Sequence, residues 1–379
     1  MGAALKGIRV VELSTMITAP LAGMMLADLG ADVIKVERPD GGDPFRSYGG
    51  GNYSAQYVSY NRNKRSIVLD LQRHEGKEVL AKLLAEADVL LENFRPGVLD
   101  RLGFSPDHIA ALNPRLIHCS ITGFGASGPS ALRASYDAIA QAVSGMSSQF
   151  LDPEDPRLSG ITIPDNVTGH YAAHGIMAAL FERERTGVAR RVEVNMFESA
   201  IAFMPEPFGY FTQNGETADA YLRIRNSQAF VFTCSDGRMI AIHLSSQHKF
   251  WERLTNCLDL KELRDDPAYA TVPARVENYE VLRQKLAAVV RRQPLVVWVA
   301  RFEEWDIPAA GVSDIPGVLQ DEQALHADTF VTFEHPEKGV LTTIRRPVSF
   351  DGGRDDQPLV PPPTLGEHTQ EILQEFGIA

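Results

Sequence analysis

The stretch Arg9–Pro39 constrains the fold of this chain most strongly, because it is typical of a strand–helix–strand unit. Arg9–Leu13 and Asp32–Glu37 are short runs rich in β-branched residues, which predicts two strands. Between them, apolar residues recur every four positions over 21–29, which predicts a helix with one buried face. We expect Pro20 to be the first helical residue, where its missing N–H costs nothing. Such units build parallel sheets that bind ligands at the carboxyl ends of their strands.

The loop between the first strand and the helix carries no glycine. A dinucleotide-binding loop needs a G-x-G-x-x-G run, so that the backbone can approach the pyrophosphate closely. Residues 14–19 are Ser-Thr-Met-Ile-Thr-Ala instead. The sequence therefore argues against a nucleotide-dependent oxidoreductase, although it keeps the polar loop that a ligand site requires.

The alternation of strands and helices continues through the first half of the chain and then changes. Glu75–Glu86 has the spacing of an amphipathic helix, and Val89–Leu91 and Leu116–Ile121 resemble strands. Ala229–Cys234 and Met239–Leu244 then flank a turn sequence and predict a hairpin. The predicted fold class is α/β, with a large parallel-sheet domain and a smaller α+β domain. We expect the large domain in 1–200, a linker in 201–224, the small domain in 225–315, and a return linker with the C-terminal part of the large domain in 316–379.

Composition argues against several classes of function. The formal net charge of -12 is unfavourable for a nucleic-acid partner, which requires a basic surface. No apolar run approaches the length of a membrane span and the N-terminus lacks a signal-peptide pattern, so we expect a cytoplasmic protein. Three scattered cysteines form no disulfide framework. His170 and His174 have helical ligand spacing, but no third ligand is apparent, so we expect no metal site.

Positive charge gathers in the first hundred residues despite the acidic balance of the chain. Arg38 precedes a glycine-containing loop, Lys64 and Arg65 belong to the run NRNKR, and Arg95 lies in ENFRPG. A local cationic patch on an acidic protein favours a compact ligand that carries phosphates. The alternative is a set of solvated surface charges.

Several segments together resemble the class III coenzyme A transferases. They are VVELSTMITAPLAGMMLADLGADVIKVERPDGGDPFR, YNRNKRSIVLDL, ENFRPGVLDRLG, ITGFGASGP, YDAIAQAVSG, IPAAGVSDIPGVLQDEQ, FEHPEKGV and TLGEHTQEIL. No single segment is decisive, and their shared order along almost the whole chain carries the resemblance. It implies a Rossmann-like large domain formed by both ends of the chain, a central small domain, and two chains interlocked into a homodimer. It also implies an acyl-CoA and a carboxylic acid as substrates, with coenzyme A as a substrate and no permanently bound cofactor.

The resemblance implies that Asp165, in the segment GITIPDNVTG, is the nucleophile. A carboxylate can attack an acyl-CoA thioester to form a mixed anhydride, and the released thiolate then converts the anhydride into an enzyme–CoA thioester. Backbone N–H groups of the segment that follows Asp165 are expected to hold the oxyanions. Without the resemblance, Asp165 is better explained as the N-cap of a helix, a role that would weaken the nucleophile.

Further site residues follow from the same resemblance. The implied CoA contacts are Thr15, Ile17, Arg38, Lys64, Arg65, Asn93, Phe94 and Arg95, and the implied substrate pocket contains Ile17, Tyr136, Arg223 and Arg225. Tyr136 stands where the racemase of this fold has a histidine base. Because tyrosine titrates near pH 10, the residue favours transfer over racemisation. The alternative for Tyr136 is a packing role.

The region near residue 225 departs from the family pattern. Several members have a glycine-rich loop there that closes over the nucleophile, whereas residues 223–230 are RIRNSQAF in this chain. Arg223 and Arg225 are candidates to bind a substrate carboxylate, and the alternative is that both are exposed charges.

The sequence therefore predicts a CoA transferase that moves CoA from an acyl-CoA donor to a carboxylic acid through covalent intermediates on Asp165. Two alternatives stay open. One is an acyl-CoA racemase or isomerase on the same fold, with Asp165 as one acid/base group, and the other is a catalytically silent CoA-binding protein.

Overall fold

A computed structural model of the chain describes residues 3–51, 53–158, 160–245, 248–335, 338–354 and 359–378. The strands are β1 (Arg9–Leu13), β2 (Asp32–Glu37), β3 (Lys64–Val68), β4 (Val89–Glu92), β5 (Ile117–Thr122), β6 (Arg191–Asn195), β7 (Ala229–Thr233), β8 (Met239–His243), β9 (Ala309–Gly311), β10 (Phe330–His335) and β11 (Gly339–Ile344). The helices are α1 (Thr18–Ala27), α2 (Ala55–Tyr60), α3 (His74–Ala85), α4 (Val98–Arg101), α5 (Pro106–Leu112), α6 (Asp137–Val143), α7 (Pro164–Thr186), α8 (Met196–Phe203), α9 (Pro205–Asn214), α10 (Leu222–Ser227), α11 (His248–Cys257), α12 (Lys261–Asp265), α13 (Val272–Glu277), α14 (Tyr279–Val290), α15 (Leu295–Glu304), α16 (Ile315–Val318), α17 (Glu322–His326) and α18 (Thr369–Glu375), with 3-10 turns at Pro44–Ser47 and Ser147–Gln149.

Six strands form one parallel sheet in the order β3-β2-β1-β4-β5-β6. The chain moves outward from β1 through β2 and β3, and then returns to the other side of β1 with β4. The register aligns Val10 of β1 with Val33 on one side and with Val89 on the other. This reversal leaves a crevice between the loops that follow β1 and β4, where open sheets of this kind bind ligands. The α/β fold class predicted from the sequence is confirmed.

Helices cover both faces of this sheet. Alternate residues of a strand point to opposite faces, so Val10 packs in a core with Ile176 of α7, while Val11 packs in a second core with Leu80 of α3. The C-terminal helix α18 adds Ile372 to the second core. Both ends of the chain therefore contribute to the large unit.

Helices α1 and α7 pack closely because Gly169 has no side chain. A Cβ at this position would lie 2.7 Å from the Thr18 carbonyl oxygen and 3.0 Å from Leu21 Cδ2. We expect Gly169→Ala to destabilise the protein by about 1–3 kcal/mol, the usual cost of overpacking. Gly209→Ala in α9 is the matched control, because nothing lies within 4 Å of its added Cβ. Urea unfolding of both variants tests this, and equal stabilities would contradict it.

The chain divides into two compact units. The first comprises 1–147, 158–205 and 326–379, and the second comprises 148–157 and 206–325. In the second unit, β7, β8 and β9 form an antiparallel sheet over a core that includes Trp251, Leu286 and Trp298. Strands β7 and β8 pair antiparallel and form the hairpin that the sequence predicts. The segment 201–224, expected as a linker, is largely helical instead, and Leu222 in it is buried.

Other local predictions are accurate to within a residue or two. Pro20 is the third residue of α1, not the first, because the helix begins at Thr18. It still lies in the first turn, where N–H groups have no intrahelical partner. All three cysteines are buried and free. Among the helices that the structure describes, none combines the length and apolar character needed to cross a membrane.

Candidate active site

Two cavities open at the carboxyl edge of the parallel sheet, on either side of the loop that follows β1. The Asp165 cavity, of about 880 Å³, is lined by loops after β1, β4 and β5 and by the start of α7. The Arg38 cavity, of about 950 Å³, is lined by the residues that follow β1, β2 and β3. Thr15, Pro44 and Phe94 line both. The two cavities together form one extended candidate site at the point where the strand order reverses.

Asp165 is the second residue of α7, directly after Pro164. The N-cap of this helix is Ile163, so the expectation that Asp165 caps the helix is wrong. The helix starts earlier because Pro164 suits its first position. Burial, together with the negative charge of Asp137, raises the pKa of Asp165 to about 7. A carboxylate with a raised pKa is a better nucleophile when ionised, and it can also exchange protons near neutral pH.

Asp137, the first residue of α6, holds Asp165 in place. One carboxylate oxygen of Asp137 accepts a hydrogen bond from the backbone N–H of Asp165 at 3.1 Å. The other accepts from Gln141 Nε2 at 2.6 Å. Asp137 is buried and lines the same cavity as Asp165. Two carboxylates in one site raise the pKa of one of them, which is the arrangement found in many acid/base pairs.

The backbone N–H groups that we expect to hold the oxyanions belong to the first turns of α7. The N–H of Val167 donates to the Ile163 carbonyl within α7. Asn166 donates its side-chain N–H to the Thr162 carbonyl and hydroxyl. The Val167 N–H is therefore engaged within the helix, whereas Asn166 lies in the first turn of α7, where N–H groups have no intrahelical partner.

Most of the residues proposed from the sequence lie in the two cavities. Thr15, Ile17, Asn93, Phe94, Arg95, Tyr136 and Asp165 line the Asp165 cavity, and Thr15, Arg38 and Phe94 line the Arg38 cavity. Asn93 also shapes the loop after β1, because its side chain accepts from the Thr15 N–H at 3.1 Å and donates to the Thr15 carbonyl at 2.8 Å.

Lys64 and Arg65 lie outside both cavities, so the structure does not support them as CoA contacts. Lys64 has no exposed side-chain surface and lies 3.0 Å from Glu12. Arg65 pairs with Asp32 at 2.6 Å and with Glu375 at 2.8 Å. The acidic partners of Lys64 and Arg65 lie far from them in the sequence. The sequence alone therefore does not show that both positive charges are neutralised.

Arg223 and Arg225 belong to the second unit. The region near residue 225 forms the helix α10, not a loop. Arg223 lies 3.6 Å from Glu206, and Arg225 lies 3.3 Å from Asp219. Both guanidinium groups therefore have a carboxylate neighbour within their own unit.

Two residues of the Asp165 cavity were not predicted as site residues from the sequence. Asp137 directly follows Tyr136 and is the first residue of α6. An acidic residue at that position usually interacts with the helix dipole, so the sequence gives no clear sign of a role in the site. Arg133 lines the same cavity and lies over the Phe124 ring, with 5.1 Å between its guanidinium carbon and the ring centroid. Within the described residues, no group of three or more His, Cys, Asp or Glu side chains is arranged to hold a metal ion.

The chain was also compared with protein families and with proteins of known function. Residues 5–369 match the model of CoA-transferase family III. Succinyl-CoA:glutarate CoA-transferase of Mus musculus is 34% identical over 98% of this chain and 86% of its own length. Formyl-CoA:oxalate CoA-transferase of Escherichia coli is 33% identical over the whole chain and 96% of its own length.

Solved structures give the same result. A CAIB/BAIF family protein from Brucella suis is 31% identical, has a TM-score of 0.86, and aligns over 99% of this chain and 100% of its own. A hypothetical protein from Mycobacterium tuberculosis is 30% identical, has a TM-score of 0.85, and aligns over 98% of this chain and 99% of its own. The resemblance found in the sequence is thus confirmed, and this chain belongs to CoA-transferase family III.

Proposed function

We propose that this enzyme transfers CoA between two carboxylic acids through covalent intermediates on Asp165. The family membership supports CoA transfer from an acyl-CoA to a carboxylate. The observation that carries the assignment of Asp165 is its position: an ionisable carboxyl group on the wall of the cavity, with a pKa raised to about 7.

The reaction would proceed in four balanced steps. The Asp165 carboxylate attacks the donor thioester, the C–S bond breaks, and CoA leaves as the thiolate, which gives a mixed anhydride. The thiolate attacks the aspartyl carbonyl and expels the donor acid, leaving an aspartyl–CoA thioester. The acceptor carboxylate then attacks this thioester and forms a second anhydride with release of the thiolate. Finally the thiolate attacks the acceptor acyl carbon and regenerates the Asp165 carboxylate.

The Arg38 cavity suits the nucleotide part of CoA. Its lining combines the cationic side chains Arg38 and Arg73 with the apolar residues Leu71, Val98 and Leu102, and it also includes the acidic residues Glu37, Asp40, Asp43 and Asp70. Phosphates are matched by guanidinium groups, and an adenine ring by apolar surface. The thioester would then reach Asp165 past Phe94, which lines both cavities.

The test of the covalent mechanism is intact-mass analysis after incubation with succinyl-CoA. We expect an adduct of acyl or CoA mass that hydroxylamine releases. The chemistry assigns it to Asp165, and peptide mapping should locate it there. No adduct, in a preparation that binds CoA, would contradict the covalent mechanism.

We further propose that the acids exchanged include short dicarboxylic acids. The two CoA-transferases compared above are named for succinyl-CoA with glutarate and for formyl-CoA with oxalate. A second carboxylate needs a cation in the acyl cavity, and Arg95 and Arg133 line the Asp165 cavity. Arg133 is the better candidate because its guanidinium group lies over the Phe124 ring, a contact that favours this position of the side chain.

Arg133→Gln should raise the KM for succinate by about 10- to 100-fold, the value of a charged hydrogen bond of about 1.5–3 kcal/mol. The KM for butyrate, which lacks the second carboxylate, should change little. Arg115→Gln controls for net charge, because Arg115 is exposed and lines neither cavity. Equal effects on both acids would contradict this role for Arg133.

Asp137→Asn should move the pH profile of acylation to lower pH. The variant keeps an oxygen that can accept the Asp165 N–H, but it removes the negative charge that raises the pKa of Asp165. Because the ionised carboxylate is the nucleophile, acylation in the wild type should rise with pH through about 7. Rates of adduct formation between pH 5 and 9 measure both midpoints. A midpoint that does not fall in the variant would contradict electrostatic coupling between the two carboxylates.

One observation favours racemisation as a second candidate function. A racemase needs two acid/base groups beside the α-carbon of the acyl group, and Asp137 supplies a second carboxylate close to Asp165. Incubation of a 2-methylacyl-CoA in deuterated water, without an acceptor acid, distinguishes the two reactions. Deuterium at the α-carbon would support racemisation, and transfer predicts none.

A further inference from the structure

Side chains hold every residue of the loop after β1 from Ser14 to Met16. The Ser14 carbonyl accepts a hydrogen bond from Lys35 Nζ at 3.0 Å. Asn93 binds both backbone groups of Thr15. The Met16 N–H lies 3.2 Å from each carboxylate oxygen of Asp43. The backbone groups of a surface loop are usually bound by water. Side chains bind the backbone of this loop instead, so its conformation is fixed by the surrounding protein.

Asp43 borders the Arg38 cavity, but its side chain is buried. Its side chain has no exposed surface, and one oxygen lies 3.1 Å from Lys35 Nζ. The carboxylate also accepts from the Phe45 N–H at 3.0 Å. A carboxylate binds a backbone N–H more strongly than a neutral acceptor does. Asp43 therefore joins the loop after β1 to the end of β2.

Met16 has an unfavourable backbone conformation that Asp43 stabilises. Its φ is 70°, in the left-handed region. This region is unfavourable for a residue with a Cβ, which there lies too close to the following carbonyl oxygen. Thr15, Met16 and Ile17 all line the Asp165 cavity. The shape of that wall therefore depends on a strained residue whose N–H is held by a buried carboxylate, and such strain usually marks a functional constraint.

We propose that Asp43 is a positioning residue for CoA transfer: it holds Met16 in the left-handed conformation and so fixes residues 15–17 as a wall of the Asp165 cavity. Asp43 is buried and acts through the loop. The role in transfer rests on the proposed function, whereas the hold on the loop can be measured without it.

The kinetic test compares three variants. Asp43→Ala should lower kcat by about 100-fold, the scale of a misplacement of about 1 Å, with a much smaller change in the affinity for CoA. Asp43→Asn keeps one acceptor oxygen and should retain more of the activity. Asp28→Asn is the control, since Asp28 is another buried aspartate and pairs with Arg62 at the far end of α1. It should lower stability and leave kcat per folded molecule unchanged. The same loss of kcat in Asp28→Asn would overturn the proposal.

A rescue experiment separates positioning from general stability. Glycine adopts a positive φ without penalty, so adding Met16→Gly to Asp43→Ala should restore part of kcat. Met16→Ala in the same background removes the side chain equally but keeps the penalty. We expect the glycine double variant to be about tenfold faster, as a difference of 1–2 kcal/mol implies. Equal kcat values for the two double variants would overturn the proposal.

Hydrogen exchange of the segment 14–18 gives a readout that needs no enzyme activity. Exchange should be faster in Asp43→Ala than in the wild type, and unchanged in Asp28→Asn. If the wild type transfers no CoA, the proposed function fails while this result still decides whether Asp43 holds the loop. Unchanged exchange in Asp43→Ala would overturn the proposal.

Discussion

Asp165→Asn should abolish CoA transfer and should also make the protein more stable than the wild type at alkaline pH. Removal of a catalytic nucleophile typically costs about four or more orders of magnitude in kcat, and an amide cannot form the anhydride. No adduct should appear with any acyl-CoA. Affinity for CoA should persist, because Arg38 and Phe94 line the cavity proposed for the nucleotide.

The stability effect follows from the sign of the pKa shift. Burial and Asp137 raise the pKa of Asp165 from 3.8 to about 7 in the folded protein. Between these values the folded state binds more protons than the unfolded state, so stability falls as the pH rises. Above about pH 7 the folded protein carries the full cost of an ionised Asp165. The difference between the two pKa values sets an upper limit of about 4 kcal/mol on this cost. Asparagine avoids that cost, because it has no charge to bury.

The measurement is Tm for the wild type and Asp165→Asn at pH 4 and pH 8. The gain in Tm should be large at pH 8 and small at pH 4, below the titration of the folded group. Asp107→Asn is a matched control, because Asp107 also follows a proline at the second position of a helix but is exposed. A gain at pH 8 in both variants, or in neither, would contradict the account of Asp165.

Local pattern was enough to predict the parallel sheet from this sequence. β-branched runs and four-residue apolar spacing depend on neighbours in sequence, so the βαβ unit at Arg9–Pro39 and the hairpin β7–β8 could be found without any partner. The cavity residues Arg38 and Arg95 were found for a related reason, whereas Asn93 came from the family resemblance alone. Both arginines follow strands of a parallel sheet, and the carboxyl ends of such strands converge.

Charge partners could not be found in this way. Lys64 and Arg65 looked like candidate phosphate ligands, but Glu12 and Asp32 neutralise them across 52 and 33 positions of sequence. Asp137 is the opposite case: it was not predicted as a site residue, and its effect on Asp165 appears only when α6 and α7 meet. Long-range packing decides whether an ionisable residue lies in the site or in the core. The spacing of residues along the sequence does not reveal that packing.

Glu12 carries the most demanding of these long-range contacts. It lies on β1, opposite Lys35 of β2 in the register, and its carboxylate is 3.0 Å from both Lys35 Nζ and Lys64 Nζ. None of the three side chains is exposed. Asp43 and Glu12 raise the pKa of Lys35 against the effect of its burial. Burial instead lowers the pKa of Lys64 to about 8, with the charge of Glu12 opposing that fall.

Glu12→Met should therefore destabilise the protein by about 3–5 kcal/mol, the usual cost of leaving a buried charge without its partner. Methionine is close in size to glutamate, so the loss is electrostatic and not a cavity effect. Such a loss is a large part of a typical total stability of about 5–15 kcal/mol. Chemical unfolding at pH 7 measures it, and a variant as stable as the wild type would contradict it.

The decisive comparison is with the double variant Glu12→Met/Lys64→Met. If the cost comes from the stranded ammonium group, the second substitution removes that group and should recover part of the lost stability, because buried ion pairs often tolerate apolar replacement. Lys35 keeps Asp43 as a partner at 3.1 Å. The pH dependence gives a second check. Without Glu12 the pKa of Lys64 should fall further, so the single variant's deficit should shrink as the pH rises from 7 to 9.5 and Lys64 loses its proton in both proteins. A double variant less stable than the single one, with a deficit independent of pH, would mean that Glu12 acts through packing against α1 instead of through charge.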